Sequence, residues 1–251
     1  EIYLKKPVSP VNGIFEYGVY DVFEKICSDL GLKRLLKRYF PENYTEILTA
    51  AQYMLSEGNV MYYISDYTET HITALKGVLS DEKCSKMLAS LRQEDMLLFF
   101  REWMKHKKSD EYVAYDVTSV SSYSKNITDL EWGYNRDREK LPQINIGMYF
   151  GEETKLPLYY RVYPGSISDK AHLKYMVADN DFINGQKTRF VMDRGFYSAD
   201  NLRCLTDKGY RFVIALPTSL KYCTELIKKH GGELANHSEY RLGAGLPYGK
   251  S

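Results

Sequence analysis

The stretch "FVMDRGFYS", residues 190–198, decides how this chain is read. Phe190, Val191 and Met192 have the length and character of a buried strand. That strand ends on Asp193 with Arg194 beside it, and a polar, helix-like segment follows. A carboxylate in this place has two readings. It caps the next turn or joins a surface ion pair, or it is a metal ligand at the carboxyl edge of a sheet, where loops gather functional groups. The second reading needs another carboxylate in a matching setting.

Working outward, "TRFVMD" (188–193) is flanked by helical runs. "SDKAHLKYMVADNDF" (168–182) precedes it with Ser168 as N-cap, and "SADNLRCLTDKG" (198–209) follows it, closed by Gly209. "YRFVIALP" (210–217) is a further strand, stopped by Pro217. Upstream, "QINIGMYF" (143–150) and "LPLYYRVY" (156–163) flank a short loop containing Gly151, which predicts a hairpin. Before them stands the short β-type run "EYVAYDVTS" (111–119). The order is β-β-β-α-β-α-β. Crossovers of this length favour parallel pairing of the later strands. The expected fold is α/β, a mixed five-stranded sheet with helices on its faces.

Residues 14 to about 105 have a different grammar. Val19, Val22, Phe23, Ile26 and Leu30 follow the spacing of an amphipathic helix. Gly31 interrupts it, "LKRLLKRYF" (32–40) resumes it, and Ile47, Leu48, Ala51 and Leu55 mark another helix. A further helix is expected from about Asp81 to Lys107, and the charged run "KHKKSDE" (105–111) reads as a boundary. The chain is therefore divided into an all-helical region, 1–108, and a sheet-containing region, 109–251.

Composition excludes several classes. At 44% hydrophobic and 27% charged residues, the chain has the balance of a globular protein. A net charge of +1 provides no global field for nucleic acid, so any such binding must come from local clusters. Two exist, Lys33, Arg34, Lys37 and Arg38, and then Arg136, Arg138 and Lys140; such a cluster is more often a solvated face than a phosphate cradle. Cys27, Cys84, Cys204 and Cys223 show no paired spacing, as expected of reduced thiols in a cytoplasmic protein. No HxxxH pair suggests zinc, and no apolar run is long enough to span a bilayer. The 23 tyrosines are an excess without an assignment at this level.

The second carboxylate is Asp116, which "YVAYDVTS" places at the end of the first strand as "RFVMDRG" places Asp193 at the end of the fourth. With those strands adjacent and parallel, both acids emerge at one edge. Two aspartates there repel unless a cation neutralises them, and Mg²⁺ or Mn²⁺ suits carboxylate oxygens.

These residues resemble the DDE transposases of bacterial insertion sequences. The resemblance rests on "DVTS", "GYNRDREKLPQINIGMYF", "LPLYYRVYPGSISD" and "VMDRGFYSADNL", over about residues 110–217. It implies a ribonuclease H-like core in which Asp116 and Asp193 are the first two catalytic acids and bind Mg²⁺ or Mn²⁺. It also implies metal-dependent cleavage and strand transfer of double-stranded transposon-end DNA. The terminal inverted repeats and target DNA are the implied partners, with a homodimer in the synaptic complex on the bacterial nucleoid. The family's third acid is a glutamate in a Tyr-Arg-Glu-Lys pattern. Glu225, Glu233 and Glu239 lack those neighbours, so the third acid is expected beyond Ser251. A catalytically incomplete DNA-binding or regulatory fragment is the alternative.

Arg194 is expected to touch DNA phosphate, the carboxylates or a surface partner. Thr118 either supports Asp116 or satisfies backbone, and Tyr134, Arg136, Arg138 and Lys140 are candidate DNA-backbone contacts. Trp132 is read as packing into the core. "GAGLPYGKS" (243–251) lacks the first glycine of a P-loop, and the aspartate-based phosphatase motif fails because Thr118 stands where its second aspartate belongs.

Overall fold

The computed structural model describes residues 14–58, 60–133, 140–184, 188–236, 241–242 and 246–247. The chain folds as two compact units that divide between Trp103 and Met104.

The first unit is helical: α1 (Gly18–Asp29), α2 (Leu32–Tyr39), α3 (Tyr44–Ser56), α4 (Ile64–Thr70), α5 (Asp81–Ser90) and α6 (Gln93–Trp103). Gly31, at φ 64°, takes the left-handed conformation that reverses the chain between α1 and α2. One core cluster joins Phe23, Cys27, Leu36 and Leu48, and another joins Tyr53, Ile64, Tyr67, Leu79 and Met87 with their neighbours. The apolar stripe of α1 is only partly used. Phe23 and Cys27 are buried, whereas Val19, Val22 and Ile26 are exposed, because the core meets one edge of the stripe. The single helix expected from Asp81 to Lys107 is two. Leu91 turns extended (ψ 115°), and Arg92 restarts the chain by gripping Asp95 at 2.7 and 3.0 Å.

The second unit carries β1 (Tyr112–Ser121), β2 (Gln143–Gly151), β3 (Pro157–Pro164), α7 (Asp169–Asn184), β4 (Arg189–Met192), α8 (Ala199–Asp207), β5 (Arg211–Ile214) and α9 (Lys221–Asn236). The sheet order is β3-β2-β1-β4-β5. β1 pairs antiparallel with β2 and parallel with β4, and β4 pairs parallel with β5. This is the ribonuclease H-like arrangement, built on a mixed five-stranded sheet. The predicted caps are in place: Ser168 Oγ accepts from Ala171 N at 3.4 Å, and Gly209, at φ 70°, ends α8.

One sheet face holds the core. Val113, Tyr115 and Val117 of β1, Tyr149 of β2, and Phe190 and Met192 of β4 are buried, as are Leu173, Met176 and Val177 of α7. Part of the tyrosine excess is explained here. Rings of Tyr115, Tyr149, Tyr159, Tyr163 and Tyr210 are buried while their hydroxyls reach partners. Tyr149 donates to Met176 O at 2.7 Å and Tyr159 to Asp179 Oδ2 at 2.8 Å. On the other face Tyr112, Met148, Tyr160 and Val162 remain 39–40% exposed.

Two details fix the ends of β1. Glu111 is fully buried at its start, and its carboxylate accepts from Thr154 N (2.6 Å), Thr154 Oγ1 (2.8 Å), Glu153 N (2.8 Å) and Lys108 N (3.0 Å). At the other end Gly165, just past β3, meets backbone closely. A Cβ there would lie 2.2 Å from Gln143 O and 2.5 Å from Glu131 O. Gly165→Ala is therefore expected to destabilise the second unit by about 2 kcal/mol. The corresponding fall in melting temperature is about 4–8 °C. An unchanged melting temperature would show that these backbones separate without cost.

Candidate functional site

The parallel register of β1 and β4 runs from Tyr112 opposite Arg189 to Tyr115 opposite Met192. The next residue on each chain is an aspartate, so Asp116 and Asp193 stand side by side where β4 stops, on strands that run about 4.8 Å apart. Asp116 is not at the end of its strand, as the sequence suggested. β1 continues to Ser121, because β2 still supplies a partner after β4 has ended. The setting is a step in the sheet: Asp116 lies on a strand held to β2, beside a neighbour that has just turned away.

Alternation along β1 sets Asp116 and Thr118 on the opposite side from buried Tyr115 and Val117, and both are exposed. Beneath them the Tyr115 ring packs against Phe196 (4.6 Å between centroids) and edge-on against Tyr149 (5.6 Å). Burial drives the Tyr115 hydroxyl well above its ordinary pKa. His172 lies 3.5 Å from it and stacks on Tyr163 at 3.5 Å. Burial, reinforced by Arg161, lowers His172 to about 4, so the imidazole is neutral near pH 7 and serves as packing.

For Asp193 the capping reading holds. Its backbone is extended (φ −75°, ψ 172°), and Oδ1 accepts from Gly195 N at 2.7 Å, capping the 3₁₀ turn Arg194–Phe196. Among the described residues Oδ2 accepts nothing, and neither carboxylate oxygen of Asp116 has a hydrogen-bond partner. The site is thus two adjacent acids, one free and one half-committed, with no cation paired to either among the described residues. Arg194 is exposed beside them.

A cavity of about 620 Å³ opens next to Asp193, with Ser119, Asn145, Ser168, Lys170 and Arg194 in its wall. Asn145, buried on β2, holds that wall by accepting from Ser119 Oγ (2.8 Å) and Gln143 Nε2 (3.1 Å) and donating to Ile167 O (3.2 Å). No sequence signal marked Asn145 or Lys170, since both become visible only once the β3–α7 connection is laid over β1.

Two carboxylates in this setting have the donor chemistry of a hard divalent cation site. Among the described residues no group of three His, Cys, Asp or Glu side chains gathers, so Glu225 of α9 does not complete the pair. The side chains of Glu233 and Glu239 lie outside the described residues, as do Tyr134, Arg136 and Arg138. Lys140 is exposed ahead of β2. Trp132 is 66% exposed rather than in the core, whose space is already filled by tyrosine and phenylalanine rings. Cys27, Cys84, Cys204 and Cys223 are all free thiols. No helix among the described residues is long and apolar enough to cross a membrane.

Residues 107–245, more than half of the chain, match the family model described as "Transposase DDE domain". No curated relative matches. Among solved structures, the piggyBac transposase synaptic complex with hairpin DNA is similar at 12% identity over 82% of this chain and 44% of that one, with a TM-score of 0.39. The Mos1 transposase paired-end complex with left transposon end is similar at 11% identity over 76% and 66%, with a TM-score of 0.31. The chain thus spans less than half the length of the first and about two thirds of the second. Likenesses this distant assign no residue and no ligand.

Proposed function

The chain belongs to the transposase DDE domain family, and from that premise we propose that it takes part in DNA transposition, with Asp116 and Asp193 as two of the active-site acids. The observation that carries this reading is the register that brings the two aspartates side by side at the end of β4. Mg²⁺ or Mn²⁺ is the proposed cofactor. Bound there, such an ion supplies an activated water and neutralises the leaving oxygen of a phosphodiester.

The chain's own residues do the holding. Asp116 is fixed by its ladder to β2, and Asp193 is oriented by the hydrogen bond that commits one of its oxygens to Gly195. Thr118 is proposed to support the Asp116 side of the sheet, and Arg194, exposed beside the acids, to contact DNA phosphate. The loop with Tyr134, Arg136, Arg138 and Lys140 is proposed to track the DNA backbone. A third acid from outside the described residues completes the site, so the pair alone holds an ion weakly and does not sustain strand cleavage. The proposed partners are terminal inverted repeats and target DNA, with two copies of the chain in the synaptic complex, in the bacterial cytoplasm at the nucleoid.

The test is Mn²⁺ binding, followed by water-proton relaxation. Weak, saturable binding that Mg²⁺ displaces is expected, and it should vanish in the double variant Asp116→Asn/Asp193→Asn. Equal binding by parent and double variant would overturn the assignment.

A further inference from the structure

The helical unit holds a cavity of about 560 Å³ between α1 and α2, where Lys33, Arg34, Lys37 and Arg38 converge with Ser28 and Tyr44. These cations are not equivalent. Lys33 is bonded to Glu24 of α1, and that bond holds its ammonium above the ordinary pKa. Arg34, Lys37 and Arg38 are exposed and have no acidic partner among the described residues. Their contacts are aromatic instead: Lys37 lies over Tyr44 at 5.9 Å and Arg38 over Tyr39 at 5.4 Å.

Lys37 and Arg38 lie in the last turn of α2, where the helix dipole favours cations, but the spacing and the first turn are unfavourable for a free helix. Residues 34, 37 and 38 are neighbours on one face, and like charges at that spacing repel. The first turn of α2 contains no acid, so Lys33 and Arg34 face the positive end of the helix dipole. Meanwhile Leu35 and Leu36 on the other face are buried, which fixes α2 and holds the cations around the cavity. A polyanion relieves both costs at once.

We infer that this cavity is a phosphate-binding site for the backbone of double-stranded DNA, formed by Arg34, Lys37 and Arg38, with Lys33 reserved for Glu24. The inference rests on the proposed function, which makes DNA the substrate, but it concerns a different unit of the chain and no metal.

The test uses the full chain without divalent metal and a short fluorescent duplex of arbitrary sequence, with affinity measured by anisotropy across a salt series. Each lost phosphate contact lowers the magnitude of the log–log salt slope by about 0.9, so Arg34→Gln/Lys37→Gln/Arg38→Gln should lower it by up to about 2.7. Lys37→Gln alone should lower it by about 0.9. Identical slopes for parent and variants would overturn the site. At low salt without DNA, the triple variant should melt at or above the parent; a lower melting point would show that the cluster serves the fold, and would also overturn it. The triple variant should bind Mn²⁺ as the parent does, because none of its three residues lies at Asp116 or Asp193. Loss of metal binding and loss of salt slope are therefore read separately, and either proposal can fail alone.

Discussion

Asp193→Asn is expected to keep the fold and lose the metal. Asparagine retains an Oδ1 that can accept from Gly195 N, now at 2.7 Å, so the cap on the 3₁₀ turn survives while the charge disappears. Even partners outside a metal's first shell cost about 10- to 100-fold in affinity or activity when removed, so loss of a direct carboxylate should cost at least about a hundredfold in Mn²⁺ affinity. In an active preparation containing the third acid, cleavage of labelled transposon ends should fall at least as far, since positioning errors near 1 Å already cost about a hundredfold. Asp193→Ala should show the same loss and also melt lower, because it removes a cap worth about 1 kcal/mol. Asp116→Asn, which has no cap to keep, should lose activity with an unchanged melting temperature. A substantial cleavage rate in Asp193→Asn would reduce that aspartate to its capping role.

Glu111→Ala should be the most destabilising single change in the sheet unit. It leaves three backbone N–H groups and the Thr154 hydroxyl without their acceptor in a fully buried place. Each stranded group costs about 1–3 kcal/mol, and allowing for water entry the total should be about 3–5 kcal/mol. A thermal melt should move down by about 6–20 °C. The same carboxylate makes stability pH-dependent. Burial alone would raise its pKa, but the hydrogen bonds from Thr154, Lys108 and Glu153 outweigh burial and hold it below the ordinary glutamate value. Its contribution is therefore complete above the unfolded-state pKa and lost as pH falls through the lower folded value. Glu111→Gln should flatten that acid limb. An unaltered acid limb would mean that the carboxylate is not the titrating group.

Much of this architecture was legible in the sequence because its signals are local. The apolar runs at 143–150, 156–163, 188–192 and 210–214 each carry their own turn or cap, and the order of elements follows from them. The adjacency of Asp116 and Asp193 could be inferred because crossovers of helical length favour parallel strands. What escaped was set by partners distant in the chain. β1 outruns Asp116 only because β2 is longer than β4. Glu111 looked like part of a charged boundary, since nothing near it in sequence shows that Thr154 and Glu153 will fold over it. The split between α5 and α6 was hidden by continuous helical spacing, and Lys33 could be separated from its three basic neighbours only once Glu24 was seen across the α1–α2 turn.

The position of β1 between β2 and β4 also has a kinetic meaning. Its partner on one side follows closely in the chain, whereas its partner on the other arrives only after α7. Contacts between distant residues form late, because a long loop must close before they contribute. The β1–β2–β3 meander can therefore form early in synthesis and remain half a sheet, with Asp116 alone on its rim. Asp193 joins it when β4 docks, so affinity for the proposed ion should appear abruptly in the last phase of refolding, in step with burial of Phe190 and Met192, and a nascent chain that has not yet delivered β4 has only one of the two aspartates.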